Sequence, residues 1–236
     1  VIHQTYPYIE YIIVDGKSSD GTLEILKEYS SYITKLISEK DNGIYDAINK
    51  GIKNSTGDLV GLIHAGDRLY DKNVIEKIVK HFQQNHIDAS YGHSIIVNSK
   101  DRVIRVNKSP EFKKNLLKYG WMPSHQSIYI KMDLFDKIGY YRTDLGGSGD
   151  YEFVLRYFYF NTIAVKLIDE FIIKFSTGGL STTNYHRIFK TQRIHKKCWK
   201  LNGKNSPVYL VPLKLIRKVP QFIKAFFYSN LKYGSK

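Results

Sequence analysis

Glu39-Lys-Asp-Asn-Gly-Ile-Tyr-Asp-Ala-Ile-Asn-Lys-Gly51, followed by Gly57-Asp-Leu-Val-Gly-Leu-Ile-His-Ala-Gly-Asp67, decides the fold. Asn42-Gly43 is turn chemistry. Ile44, Ala47, Ile48, Gly51 and Ile52 then recur at helical spacing, which predicts an amphipathic helix. Asp41, Asn49 and Lys50 fall on loop or polar faces. Leu59-Val-Gly-Leu-Ile63 is a short apolar run bounded by turn residues and predicts a buried strand. A carboxylate, Asp67, follows where that strand ends. In open α/β sheets, ligands sit just beyond the carboxyl ends of strands.

Upstream, Glu10-Tyr-Ile-Ile-Val14 predicts another buried strand, and Asp15-Gly-Lys-Ser-Ser-Asp-Gly21 a polar loop. Asp20 suits a helix N-cap, with Leu23, Leu26 and Tyr29 sharing a face of the helix after it. Lys35–Ser38 is a further strand. Strand, helix, strand, helix, strand at this spacing argues for a parallel sheet with right-handed crossovers.

Downstream, the pattern predicts a helix over 73–85, a strand pair over 89–97 and 102–106, and a short helix over 113–118. A strand over 127–130 and a short helix over 134–138 follow, then a glycine-rich loop from Asp144 to Asp150. The helix from Tyr151 to Phe160 carries Tyr151, Phe153, Tyr157, Phe158 and Phe160, which read as core. Strands over 163–168 and 171–175 close the compact part before Gly178-Gly179.

The chain of 236 residues has room for one large domain and an extension. Its single cysteine, Cys198, excludes an internal disulfide and suits a reducing compartment. The net charge of +14 is uneven: from Tyr185 onward there are many Lys and Arg and no Asp or Glu. Such a tail suits an anionic partner. Interleaved with Phe and Tyr and broken by Pro212 and Pro220, it is too interrupted to span a bilayer but suits lying on one. Nucleic acid is not the expected partner, because that reading explains none of the acidic loops and no RNP-like or helix-turn-helix signature is present.

Four carboxylates, Asp15, Asp41, Asp67 and Asp150, stand where loops leave strands or enter helices. Gathered at one sheet edge they need cations or hydrogen-bond donors. A nucleotide diphosphate with Mg²⁺ or Mn²⁺ would supply both, since these hard cations share oxygen ligands with substrate phosphates. On propensity alone Asp150 reads equally well as a helix cap. His64 reads as a partly buried neighbour of the site.

Five motifs in this order resemble a family 2 glycosyltransferase of the GT-A fold, the nucleotide-sugar-dependent group of bacterial polysaccharide and glycan biosynthesis. They are Ile13-Val-Asp-Gly-Lys-Ser-Ser-Asp-Gly-Thr22, Glu39–Gly51, Gly57–Asp67, His125-Gln-Ser127 and Gly149-Asp-Tyr-Glu-Phe153. The resemblance implies a Rossmann-like α/β/α sandwich with a mostly parallel central sheet over residues 1–180, and a basic amphipathic helical extension over 181–236. It implies sugar transfer from a nucleotide-diphosphate sugar to a glycan or lipid-linked acceptor, with inversion, by a hexosyltransferase-type enzyme in the cytoplasm at the inner face of the membrane. An anionic membrane surface would meet the tail.

Carried over residue by residue, Asp15 matches the acid that contacts the base. Asp41, Asn49 and Lys50 match the segment around the nucleotide and its phosphates. Asp67 matches the last carboxylate of an Asp-x-Asp-like metal motif, and Asp150 the general base. His125 and Gln126 would line the acceptor side. Two departures stand out. Gly66 occupies the place where many relatives have a second acid. The family also opens with a strand, a base-cupping loop and a helix, and Val1 falls near that helix's end, so the resemblance implies that the first strand and most of the first helix are absent from this chain. The alternative reading is a degenerate, non-catalytic member that binds membrane or partner enzymes.

Overall fold

The computed structural model describes residues 1–176, 185–216 and 220–221. β1 (Ile12–Asp15), α1 (Thr22–Glu28) and β2 (Lys35–Ser38) form a β-α-β unit whose strands pair in parallel, with Val14 opposite Ile37. The N-cap of α1 is Gly21 rather than the expected Asp20, whose carboxylate, one residue earlier, still accepts the Thr22 N–H at 3.2 Å; α1 itself buries none of its residues.

α2 (Ile44–Lys53) leaves Gly43 at a φ of 104°, a backbone region that glycine enters without strain. Asp46, one turn in, accepts the Asn42 N–H at 2.9 Å and satisfies one of the donors a helix start leaves open. The stripe that α2 buries is Tyr45, Ile48 and Ile52, while Ile44 stays 43% exposed. Truncating Ile52, which is 1% exposed, to Ala would cost about 2–5 kcal/mol. Gly51 faces β1, where a Cβ would make an ordinary van der Waals contact at 3.5 Å with Val14 Cγ2.

β3 (Leu59–Gly61), β4 (Arg68–Leu69) and α3 (Val74–Gln84) follow. β5 (Ala89–Val97) and β6 (Val103–Asn107) form the expected hairpin, and β7 (Ile128–Lys131) leads into α4 (Asp133–Ile138). α5 (Gly149–Leu155) runs on into a wider π-helical turn over Arg156–Phe160. β8 (Val165–Ser176) is one long strand where the sequence suggests two. α6 (Tyr185–Leu201) and α7 (Leu210–Ile216) complete the described elements.

The strands form two sheets, β1-β2 and a six-stranded sheet ordered β3-β7-β5-β8-β4 with β6 on the edge of β5. The class is α/β as expected, but the larger sheet is mixed rather than mainly parallel: β5 and β8 run parallel, and its other pairs are antiparallel. The cause is the return of the chain after β5 through a hairpin and loop instead of a helix crossover.

Glu10 ties the two sheets together, its carboxylate accepting the N–H groups of Thr56 at 2.7 Å and Gly57 at 3.1 Å. Between the sheets runs a groove of about 2060 Å³, with Val14 on one side, Val60 and Leu62 on the other, and Ile48 and Ile78 among its apolar lining. The main core lies against α5, where Phe153, Val154, Leu155 and Tyr157 are fully buried. Residues of α6 join it. Cys198 and Trp199 are buried, and Trp199 Nε1 donates to Tyr151 Oη at 2.8 Å, so this part of the basic segment is packed rather than solvated. Of the apolar and basic run over 208–228, on which membrane contact was expected, 217–219 and 222–228 lie outside the described residues.

Candidate active site

Asp67, Asp150, His125 and Gln126 line one end of the groove, together with His64. They arrive there from three places in the chain. The carboxyl end of β3 runs into the turn His64-Ala-Gly-Asp67, closed by Asp67 N–H donating to His64 O at 3.0 Å. Its third residue, Gly66, has a φ of 85°, the left-handed conformation that such a turn demands of its third residue. Gly66 therefore stands where an acid was expected because the backbone selects glycine.

The Asp67 carboxylate is held on both sides. Gln126 Nε2 donates to Oδ2 at 2.8 Å, and the backbone N–H of Ser176, at the end of β8, donates to Oδ1 at 3.0 Å. Gln126 is 2% exposed, so its amide is fixed by the surrounding core and holds Asp67 in one orientation. His125 and Gln126 share a single 3-10 turn before β7.

His64 and His125 meet at their Nε2 atoms, 3.1 Å apart. One must donate and the other accept, so the pair is stable only with at most one extra proton. Burial is the main force lowering the pKa of His64 to about 4, with His125 adding to it and the charges of Asp67 and Asp150 opposing it. Burial lowers that of His125 as well. Both rings lie in the field of Asp67 and Asp150, so the two carboxylates stand close to the pair.

Asp150 enters from the first turn of α5, and Tyr45 from α2 donates its hydroxyl to Asp150 Oδ1 at 3.1 Å. On the same wall of the groove, Asn107 Nδ2 donates to Ser124 Oγ at 3.1 Å, next to His125.

The other candidates form a separate cluster outside the groove lining. Asp15 is buried and accepts from Ser18 N–H at 3.0 Å and Ser38 Oγ at 2.8 Å. These hydrogen bonds, from Ser18 first, lower its pKa against the opposing effect of burial. Gly16 lies close enough to Asp41 that a Cβ would stand 3.2 Å from Oδ2. Lys50 Nζ joins Asp41 at 2.7 Å and Glu39 at 2.9 Å. Asn49 points elsewhere: its amide donates to Tyr141 O at 2.8 Å and accepts Tyr141 N–H at 2.9 Å, riveting α2 to the segment before α5.

A divalent cation fits this site only in company. Among the described residues no three His, Cys, Asp or Glu side chains converge as a cation cage. Asp67 offers hard oxygen donors whose remaining lone pairs are compatible with one cation that draws its other ligands from substrate phosphates.

Sequence reasoning placed His64 only as a neighbour and did not single out Tyr45. Both stand inside the stretch that decides the fold, and Tyr45 shares the helical stripe of Ile48 and Ile52.

The chain as a whole resembles known proteins. The family model described as Glycosyl transferase family 2 matches residues 1–142. An uncharacterised glycosyltransferase of Mycobacterium tuberculosis is 29% identical over 153 residues, 63% of this chain and 56% of that protein. The chain thus spans little more than half the length of that relative. A PGL/p-HBAD biosynthesis glycosyltransferase of M. tuberculosis is 25% identical over 197 residues, 78% of this chain and 72% of the relative. The solved structure of S. aureus TarS 1–349 with UDP-GlcNAc superposes with a TM-score of 0.64 at 15% identity, covering 96% of this chain and 66% of that one. At that identity the likeness is one of fold.

Proposed function

The chain belongs to glycosyl transferase family 2, and from that premise we propose that it moves a sugar from a nucleotide-diphosphate sugar to a glycan or lipid-linked acceptor with inversion. The observation that carries this reading is the convergence of Asp67 and Asp150, far apart in sequence, on one end of a single groove. TarS is a structural neighbour solved with UDP and with UDP-GlcNAc, which favours a uridine nucleotide for this chain also.

In this reading the Asp150 carboxylate takes the proton of the acceptor hydroxyl. The freed oxygen pair bonds to the anomeric carbon from the face opposite the leaving group. The bond from that carbon to the diphosphate oxygen breaks, and the nucleoside diphosphate departs with its electrons. A base must be ionised and within hydrogen-bond reach to do this. Asp67, oriented by Gln126 and Ser176, would hold Mg²⁺ or Mn²⁺ against the diphosphate. When bound, that cation supplies Lewis-acid stabilisation of the leaving group. The neutral His64–His125 pair adds no positive charge beside the two carboxylates at neutral pH, which leaves Asp150 without a competing imidazolium. Asn107, Ser124 and His125 offer hydrogen-bonding groups for acceptor hydroxyls. The cluster of Asp15, Asp41 and Lys50 would lie towards the base and ribose, with the basic tail against an anionic membrane.

The test is to compare Asp150→Asn with the wild-type chain, using a panel of UDP-, GDP- and dTDP-linked hexoses together with a lipid-linked glycan fraction as acceptor, and measuring acceptor-dependent release of the free nucleotide. Loss of release with retained donor binding supports the assignment. Release at the wild-type rate removes Asp150 as the base.

A further inference from the structure

We propose that Tyr45 is a positioning residue for Asp150, fixing one carboxylate oxygen so that the other is left for the acceptor hydroxyl. The proposal rests on the reading of Asp150 as the base and adds to it the side chain that aims it.

Tyr45 and Asp150 are 105 residues apart in sequence, yet the hydroxyl donates to Oδ1 at 3.1 Å. The same Oδ1 accepts the Tyr151 N–H at 2.8 Å. Oδ1 therefore takes two donors, and Oδ2 takes none from the described residues. Two donors on one oxygen remove the freedom of the carboxylate to rotate and decide which oxygen faces a substrate.

The ring of Tyr45 also determines where the backbone of residue 149 can lie. A Cβ on Gly149 would stand 2.8 Å from Tyr45 Cδ2 and Cε2 and 2.8 Å from Arg142 O, so only glycine allows this approach. Tyr45 thus bears on the backbone just before Asp150 and on its carboxylate together.

Tyr45 is itself held still. It is 7% exposed and stacks on Tyr141 with a centroid separation of 5.8 Å and an interplanar angle of 9°. Tyr141 in turn stacks on Phe153 of α5 at 3.9 Å and 6°. Asn49, one turn after Tyr45 on the same face of α2, grips both backbone groups of Tyr141. From the other side Arg156 donates to the carbonyls of Ile138, Gly139 and Tyr140. Burial, with the adjacent Asp150 charge, keeps the Tyr45 phenol protonated and hence a donor.

Tyr45 could instead be a core ring whose hydroxyl is merely satisfied. Tyr45→Phe separates the two, because Phe keeps the stack and the contact with Gly149 and removes only the O–H. The full chain is assayed with Mn²⁺ and whichever hexose donor of the panel above the wild type turns over, following nucleotide release, nucleotide binding and thermal stability. The expected result is a fall in kcat of about tenfold, the order for losing one hydrogen bond to a charged group, with KM for the donor and the Kd of the nucleotide unchanged. A wild-type kcat in Tyr45→Phe overturns the proposal and leaves Asp150 as base untouched. A fall in kcat matched by weaker nucleotide binding and a lowered Tm also overturns it, as the mark of a structural role. A wild-type chain that turns over no donor, or an Asp150→Asn chain as active as wild type, overturns the base reading itself and this proposal with it.

Discussion

Gln126 donates to Asp67 across the mouth of the groove at 2.8 Å, joining the turn after β3 to the turn before β7. The bond makes the orientation of Asp67 depend on a side chain distant in sequence. Asp67→Asn keeps the size of the side chain but replaces one oxygen with a donor that faces the Gln126 amide or the Ser176 N–H. If Asp67 anchors a cation, this variant should lose Mn²⁺-dependent UDP binding by titration calorimetry, and EDTA should do the same to the wild type, reversed by added Mn²⁺. Gln126→Ala should weaken that binding about tenfold, since the oxygen loses one charge-assisted hydrogen bond. UDP affinity indifferent to EDTA and to Asp67→Asn would remove the cation from this site.

Gly66 tests whether a second acid can be restored. With φ at 85°, any side chain there is strained, and Asp carries about 1 kcal/mol of that strain. Gly66→Asp should lower stability by about that amount in urea unfolding and should not tighten Mn²⁺ binding. A variant as stable as wild type with stronger cation binding would show that the turn relaxes.

The His64–His125 contact gives the fold a pH dependence. The folded His64 pKa of about 4 lies below the ordinary 6.5, so between these values the unfolded chain binds more protons than the folded one. Stability contributed by the neutral pair is complete above about pH 6.5 and falls on acidification towards pH 4. By urea unfolding at pH 7.5 and 5.0, wild type should lose about 1–2 kcal/mol more than His64→Asn. Equal losses in the two proteins would mean that His64 does not carry the effect.

Much of the fold could be read locally. The stripes of α2 and α3 follow from side-chain period, and the structure places α3, β5 and β6 within a residue or two of the sequence reading. The two strands expected over 163–168 and 171–175 are the single β8, with Asp169 and Glu170 inside it. The strand continues through them with a bulge, its register against β5 jumping from Leu167 opposite Tyr91 to Phe171 opposite His93: Asp169 pairs with His93 at 2.7 Å, Glu170 with Lys77 at 3.0 Å, and Gly92 leaves room for the Glu170 carbonyl and Ile172 beside it. The mixed pairing of the larger sheet, the His64–His125 contact and the Tyr45–Asp150 hydrogen bond join residues far apart in sequence, and no local period encodes them. The carboxylates themselves were legible because turn chemistry puts them at the ends of elements.

Trp199 fixes the basic segment to the rest of the chain. It is 1% exposed, its indole N–H bonds to Tyr151, and Tyr151 also stacks on His195 at 3.9 Å. Trp199→Phe should cost about 1 kcal/mol through the lost hydrogen bond, and Trp199→Ala about 3–5 kcal/mol through the cavity. Because Tyr151 follows Asp150 directly, the Ala variant should also lose turnover. Urea unfolding and nucleotide release, measured together, check both. A Trp199→Ala chain with unchanged stability would mean that α6 does not hold to α5.

Gly149→Ala probes the approach of α2 to α5 from the opposite partner. The added methyl meets a Tyr45 ring at 2.8 Å and the Arg142 carbonyl at the same distance. The ring is confined by Tyr141 and the carbonyl is backbone, so neither can retreat as a flexible side chain would. Overpacking of this kind costs about 1–3 kcal/mol and is relieved by moving the start of α5, which carries Asp150. The expected outcome is a lowered Tm, turnover reduced more strongly than in Tyr45→Phe, and UDP binding close to wild type, because the displaced carboxylate lies on the acceptor side of the groove. Combining Gly149→Ala with Tyr45→Ala removes the obstructing ring. The double variant should recover part of the lost stability while its kcat stays about tenfold or more below wild type, since the Tyr45 donor to Oδ1 is then gone. Activity restored together with stability would mean that the Tyr45 ring acts on Asp150 only by its bulk.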